Sequence, residues 1–300
     1  LSVALGVPAD QLFIANGATE AIQAVIHNFS SHIHINTPTF SPYYEFAGPD
    51  QQVTAFELDP AKNFAVDPEE YVKSVLSSHA DTAVLISPNN PDGYLIPDDD
   101  LEWILSKLTS LSTIIVDESF IHFADTATPD GELPSLTGIT NKFDNVTIVK
   151  SMSKDFGIAG IRAGYSIMPT ERVTQLLNNG YLWNTSGMAE YFFSLFDRPQ
   201  FLDQYLGELS SYKAYIDKFT ASTEKFDFVQ AFNTSANFQL MKLPEHVSSD
   251  VAAALLLIRH GVYVRSCGDK IGLDGDFLRV AIRTESENER ILDALADILG

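Results

Sequence analysis

Basic residues are scarce in this chain: 19 lysines and arginines stand against 40 aspartates and glutamates, a formal net charge of −21. A field of that sign repels polyphosphates and anionic lipid surfaces, which excludes nucleic acid and membranes as partners. Cysteine is nearly absent, with Cys267 alone. One thiol can form no intrachain disulfide and no cysteine-based metal site, a composition that fits a reducing compartment. Long apolar runs are missing as well. The longest, such as residues 251–258, fall far short of the roughly 20 residues that a membrane helix needs, and nothing reads as a signal peptide. There is no Pro/Gly/Ser-rich linker and no internal repeat. What remains is 300 residues with 45% hydrophobic and 11% aromatic side chains, enough for one large domain or a large plus a small one. The expectation is a soluble, cytoplasmic protein.

Short apolar, β-branched runs at residues 32–36, 52–57, 83–87, 113–117, 146–149 and 163–167 alternate with amphipathic stretches at 20–29, 68–77 and 97–108. That alternation predicts an α/β fold whose sheet is mostly parallel, with helices on both faces. Helix-start signals agree: Asp67 and Pro68 open one stretch, and Asp98, Asp99 and Asp100 place negative charge at the N-terminus of another. From about residue 170 the pattern changes to long helical stretches up to about 225. Strands are then expected at 236–241, 262–265 and 277–282, flanking helices at 250–259 and 285–299. The reading is a large domain over residues 1–200 and a small α+β domain over 201–300, sharing a broad interface.

The most informative segment is KSMSKDFGIAGIRAGY, residues 150–165. It packs the hydroxyls of Ser151 and Ser153, the lysine Lys154, three glycines and Arg162 between two predicted strands. A lysine there can form a Schiff base with an aldehyde, and Ser151, Ser153 and Arg162 can hold a phosphate on that aldehyde. A lone lysine in a glycine-rich turn is more often a surface residue. The spacing of Ser151, Ser153, Lys154, Gly160, Arg162 and Gly164 is much rarer by chance, and its glycines do not fit the dinucleotide fingerprint.

Five motifs in order along nearly the whole chain make it resemble the class I/II aminotransferases of the fold-type-I pyridoxal-phosphate (PLP) enzymes. The resemblance implies an aspartate-aminotransferase-like fold and a homodimer. In it Lys154 matches the Schiff-base lysine, and Ser151 and Arg162 match phosphate-binding positions, with Ser153 beside them. IANGATEAI puts Ala18 and Thr19 at a helix start, where free N–H groups and the helix dipole suit a phosphate. PTFSPYY places Phe40 where the family stacks a ring on the cofactor. SPNNPDG aligns Asn90 with the asparagine that bonds the cofactor's phenolic oxygen. IIVDESF ends with Asp117 at the position of the aspartate that pairs with the pyridine nitrogen. A carboxylate there keeps the ring protonated, and a protonated ring accepts electrons from the substrate's α-carbon. Taken alone, Phe40 would be a core residue, Thr19 an ordinary helix-start residue and Asp117 a turn cap.

FLRVAIRT matches the family segment whose arginine binds the substrate α-carboxylate, which implies that role for Arg279. A regular strand would put Arg279 and Arg283 on one face. Arg265 in VYVRSC matches the position that contacts the distal phosphate in histidinol-phosphate aminotransferases, so Arg265 and Arg283 are candidates for a second anion site. Where most of the family has a tyrosine, three residues after the aspartate, this chain has Phe120. VDESF, NGATE and RVAIR look closer to threonine-phosphate decarboxylases and to PLP domains fused to nucleotidyltransferases, whereas SMSKDFGIAG looks aminotransferase-like. The chain starts at LSVALGVPADQLFIANGATE, so the family's N-terminal arm, with a tyrosine reaching into the neighbouring subunit, either precedes this stretch or is replaced by another contact. The first expectation is an aminotransferase acting on an amino acid or amine with a distal phosphate, using a 2-oxo acid as acceptor. The alternatives are a PLP-dependent decarboxylase of a phosphorylated amino acid and a non-catalytic PLP-fold module.

Four other features read as structural. His32 and His34 alternate on a strand without a recognisable third metal ligand, so no metal site is expected. His122 in SFIHFAD and Cys267 are assigned to the interior, and Asp98 to Asp100 to a solvated helix start.

Overall fold

Seven strands form the central sheet: β1 (Leu12–Asn16), β2 (His32–Thr37), β3 (Gln52–Glu57), β4 (Thr82–Ile86), β5 (Thr113–Asp117), β6 (Val146–Ser151) and β7 (Ala163–Ile167), in the spatial order β1-β7-β6-β5-β4-β2-β3. The computed structural model describes residues 1–126, 133–182 and 184–300. Neighbours from β6 to β3 run parallel, and β7 alone opposes them, pairing antiparallel with both β6 and β1. β4, β5 and β6 are buried along their whole length, as parallel strands covered on both faces must be. The sequence pattern missed β1, a half-buried five-residue strand directly before the NGATE turn.

Two cores flank the sheet. On one face the helix Ala18–Phe29 buries Ala21, Ile22, Val25 and Ile26 against Ile33, Ile35, Val84, Ile115 and Val149. Ile22, Val25 and Ile26 are fully buried, each contributing roughly 1.5–3 kcal/mol. On the other face the helices Pro68–Ser78 and Asp98–Lys107 pack onto Ala83, Leu85, Ile114 and Val116. The first of these starts on Asp67, whose side chain accepts from the Glu70 N–H at 3.0 Å. Asp98 to Asp100 occupy the first turn of the second.

The helix Pro199–Thr223 runs from the first unit into the second. Its Leu209, Ile216 and Phe219 join the core formed by a four-stranded antiparallel sheet and the helices Ser249–His260 and Glu285–Leu299. That sheet comprises β8 (Gln230–Ala231), β9 (Phe238–Lys242), β10 (Arg265–Ser266) and β11 (Phe277–Ala281), in the order β10-β11-β9-β8. The strand expected at 262–265 is reduced to the two residues of β10, and β8 was not anticipated. Register sets Arg265 directly opposite Arg279. Among the described residues no helix is long and apolar enough to cross a membrane.

Candidate active site

The carboxyl ends of parallel strands are where an open α/β sheet leaves a crevice, and the predicted residues gather there. A cavity of ≈ 430 Å3 opens between the ends of β4, β5 and β6 and the small sheet. It is lined by Ala18, Thr19, Phe40, Asn90, Asp117 and Ser151 from the large unit, with Ser153, Lys154 and Arg162 from the loop after β6. Arg265 and Arg279 close it from the small unit. Eleven positions scattered from 18 to 279 in sequence thus share one cavity.

One end of the cavity is an anion cradle. Gly17 caps the helix Ala18–Phe29 at φ 78°, leaving the first N–H groups of that helix free. Arg162 holds the left-handed conformation at φ 61° and lays its guanidinium against Gly17, where a Cβ would stand 2.6 Å from Nη2. Gly164 is pressed still closer: a Cβ there would meet the Ala18 nitrogen at 2.4 Å. Gly164 is therefore required by close backbone approach, and Gly17 by its positive φ. Ser151 and Ser153 complete the cradle; the Ser153 N–H donates to Ser151 Oγ at 3.3 Å, while the buried Ser153 Oγ has no hydrogen-bond partner among the described residues. A buried hydroxyl in that condition calls for an external acceptor.

At the centre, Asp117 is buried at the end of β5. Tyr43 donates its phenol to Oδ2 at 2.8 Å and the Ser119 N–H donates to Oδ1 at 2.8 Å. Burial pushes the Asp117 carboxyl above its ordinary range, against these hydrogen bonds and the more distant charge of Lys150. Among the described residues no cation forms an ion pair with it, so a cationic ring nitrogen would complete its charge balance. Tyr43 is part of the PTFSPYY motif, yet only the fold brings it to Asp117. Lys154 lines the cavity and is open to solvent. Partial desolvation and the positive charges of Arg279 and Arg162 lower its ammonium pKa, opposed by Asp155 and Asp117. A lowered lysine pKa makes the amine available as a nucleophile.

The small unit contributes cations. Arg279 donates to Asn90 Oδ1 and stacks over Phe238, with Cζ 5.1 Å from the ring centroid. Phe238 in turn meets Phe120 edge to face at 5.0 Å. The position expected to carry a tyrosine hydroxyl is thus an apolar wall. Arg265 is half-exposed and paired with Asp269 at 2.5 Å, which spends much of its charge. Lys270, which the sequence reading did not select, also lines the cavity. Among the described residues its ammonium has no hydrogen bond or ion pair, and burial lowers its pKa. No spacing signal marked it, because it lies in the irregular loop after β10. Arg283 does not join this group. β11 ends at Ala281, so the strand alternation that would align Arg283 with Arg279 stops two residues short. Arg283 is exposed and pairs with Glu287 at 3.3 Å, in a different groove.

The remaining candidates are accounted for by internal contacts. His32 and His34 both share hydrogen bonds with Thr54 Oγ1, at 3.1 and 2.8 Å, and His34 also meets Ser74. His122 is fully buried against Tyr205 and Asp155, outside the cavity. Cys267 is buried in the core and does not line the pocket; burial raises its thiol pKa.

This geometry and the chain's similarities point the same way. The profile of the family "Aminotransferase class I and II" matches residues 5–295, so the chain belongs to that family of PLP-dependent enzymes, with the aspartate-aminotransferase-like fold. More narrowly, it is 43% identical over 98% of its length to an L-serine phosphate decarboxylase of Campylobacter jejuni, covering 75% of that protein. A decarboxylase structure from Sulfurospirillum multivorans superposes with a TM-score of 0.94 at 38% identity, covering 100% of this chain and 84% of that one. The histidinol-phosphate aminotransferase of Clostridium acetobutylicum gives 0.85 at 28% identity, with 99% and 86% covered. The residues present fit PLP: an unsatisfied Ser153 hydroxyl and a helix N-terminus for its phosphate, a buried and uncompensated Asp117 for its ring nitrogen, and Lys154 for its aldehyde.

Proposed function

We propose that the chain is a PLP-dependent decarboxylase of a phosphorylated amino acid, with L-serine phosphate as its substrate. The observation that carries this reading is the three cations on the small-unit side of the cavity, Arg265, Lys270 and Arg279, in a chain of net charge −21. A substrate with two anionic groups is what such a site can hold. The 43% and 38% identical relatives that bear this activity support decarboxylation over the transamination expected from the sequence. Phe120 supports it as well.

When bound, PLP supplies a protonated ring that accepts the electron pair left on the α-carbon as the carboxylate departs as carbon dioxide. Asp117 keeps that ring protonated, its own carboxylate aligned by Tyr43 and Ser119. Arg162, Ser151, Ser153 and the N–H groups at Ala18 and Thr19 would hold the cofactor phosphate, with Phe40 lining the same cavity beside it. Asn90 serves twice, toward the phenolic oxygen and as the acceptor that fixes Arg279. Arg279 takes one anion of the substrate, while Lys270 and Arg265 take the phosphate. Lys154 then returns a proton to the α-carbon, so that the net change is loss of carbon dioxide and gain of a proton.

Incubation of the holoenzyme with O-phosphoserine, O-phosphothreonine and histidinol phosphate, each with and without 2-oxoglutarate, tests the reading. Carbon dioxide release without the oxo acid, fastest on O-phosphoserine, is the expected result. Turnover only in the presence of 2-oxoglutarate would restore transamination as the activity.

Which cation holds the phosphate is separately testable. Lys270→Ala is expected to raise KM for O-phosphoserine about tenfold or more, the value of one charge-assisted hydrogen bond. Arg265→Ala should cost less, because Asp269 already shares its charge. A larger effect at Arg265 than at Lys270, in steady-state kinetics on both variants, would reverse the assignment.

A further inference from the structure

Fully buried ionisable side chains lie on the other face of the sheet from Ser151, and the chemistry above does not use them. Lys150 precedes Ser151 on β6 and therefore points to the opposite face. Its Nζ lies 2.5 Å from Oδ2 of Asp155, the residue after Lys154, and both side chains have 0% exposure. The same ammonium donates to the carbonyl oxygens of Glu118 at 3.3 Å and Ser119 at 3.4 Å, the two residues after Asp117. Ser119 holds Asp117 through its N–H and accepts from the Ser151 N–H at 3.1 Å. One buried cation thus joins the segment leaving Asp117 to the segment carrying Lys154.

We propose that Lys150 and Asp155 are positioning residues: their ion pair fixes Lys154 relative to Asp117, and the Asp155 carboxylate favours the protonated Lys154 nitrogen. The proposal rests on Lys154 being the cofactor lysine. A role in stability alone would be an odd use of two buried charges, since an apolar pair of similar volume usually serves a core as well or better. The charges facing Lys154 are Asp155 and Asp117, which favour its proton, and Arg279 and Arg162, which oppose it. Around Asp155 stand Lys150, Lys154, His122, Tyr205 and Tyr165. Burial keeps His122 neutral by driving its pKa well below the ordinary value, which leaves Lys150 as the charged partner inside this network. Burial raises the Asp155 carboxyl to about 6 while Lys150 pulls it down; without Lys150 the carboxyl would take up a proton and lose its charge.

Lys150 and Asp155 therefore act on Lys154 through one and the same charge, and their removal should not add. The test is the pH titration of the visible absorbance of the holoenzyme for Asp155→Asn, Lys150→Met and the double variant, with melting temperatures as the folding control. Asp155→Asn is expected to lower the midpoint by roughly one pH unit, the size of one nearby charge, and the double variant to lower it by the same amount and no more. In steady state on O-phosphoserine, kcat should fall by roughly 10- to 100-fold through misplacement, with KM nearly unchanged. Each single variant strands a buried partner, Lys150→Met the Asp155 carboxyl and Asp155→Asn the Lys150 ammonium, and could fail to fold; the double variant holds no unpaired charge, so the comparison rests on it and on Asp155→Asn, with the melting temperatures showing that both are folded. A midpoint equal to wild type in both would overturn the proposal, as would shifts that sum. The absorbance readout is independent of which reaction the enzyme catalyses, and borohydride labelling decides separately whether Lys154 is the cofactor lysine.

Discussion

Lys154→Ala is expected to give a folded protein that no longer fixes PLP covalently and has lost its activity. Folding should survive, because the side chain is solvent-accessible and its charge faces Arg279 and Arg162. Removing it relieves repulsion from Arg279 and Arg162 and forfeits attraction to Asp155 and Asp117, so the melting temperature should stay near that of the wild type. On the proposed role of Lys154 the catalytic loss has two parts: the Schiff base cannot form, and the proton transfer assigned to Lys154 disappears, by itself a factor of roughly 10²–10⁴. Borohydride reduction of the holoenzyme followed by peptide mass spectrometry reads the site directly. Lys270 is the informative competitor, since it lines the same cavity and burial also lowers its pKa. Label on the peptide containing Lys270 would exchange the two lysines' roles and undo the site as assigned.

Why Lys154 was legible in the sequence and Lys270 was not is a matter of local constraint. Lys154 sits in a segment where Gly164 is demanded by backbone approach and where Ser151, Ser153 and Arg162 are the residues proposed to contact a phosphate, so the pattern falls within fifteen residues. Gly164 shows this: only the absence of a side chain lets β7 approach the start of the helix Ala18–Phe29. Lys270 needs nothing from its neighbours except that the loop after β10 overhang the cavity, and that is decided by the packing of one unit on the other. Tyr43 is intermediate. It lies in a motif that was read, but its partner Asp117 is 74 positions away, and no periodicity reports a contact of that span. Arg283 was misplaced for the opposite reason, because alternation was extended past the end of a strand that stops at Ala281.

The fold follows the same division. β2 and β4 to β7 are mostly buried runs whose composition marks them, β3 is a largely exposed edge strand marked by its alternation, and the expected positions of all six agree within about two residues, the usual uncertainty at element ends. β1, β8 and β10 are short or half-exposed, and tertiary pairing rather than composition makes them strands. Lys150 and Asp155 illustrate a further limit. Both were in plain view within the informative segment, but a lysine at the end of an apolar strand reads as exposed until the structure shows its ammonium enclosed by Asp155 and two carbonyl oxygens.

Asp117→Ala is expected to leave PLP bound to Lys154 while lowering kcat by roughly 10²–10³-fold, the usual cost of removing one preorganised charge partner from a transition state, or about 3–4 kcal/mol. The covalent link does not involve the ring nitrogen, so the visible absorbance should persist. What fails is the protonation that makes the ring an acceptor for the electron pair on the α-carbon. Tyr43 allows this electronic effect to be separated from structural damage. It is fully buried and donates to Asp117, so Asp117→Ala also strands a phenol, at about 1–3 kcal/mol of stability. Tyr43→Phe removes the same hydrogen bond without touching the carboxylate and strands no polar group of its own. It also withdraws a donor that favours the ionised Asp117, so the acid limb of the kcat profile should move to higher pH. If the charge on Asp117 is what matters, Tyr43→Phe should lose about tenfold or less at the pH optimum while Asp117→Ala loses the larger factor. Equal losses in the two variants, measured on holoenzymes of matched cofactor content, would mean that the hydrogen-bonded pair serves only to shape the pocket.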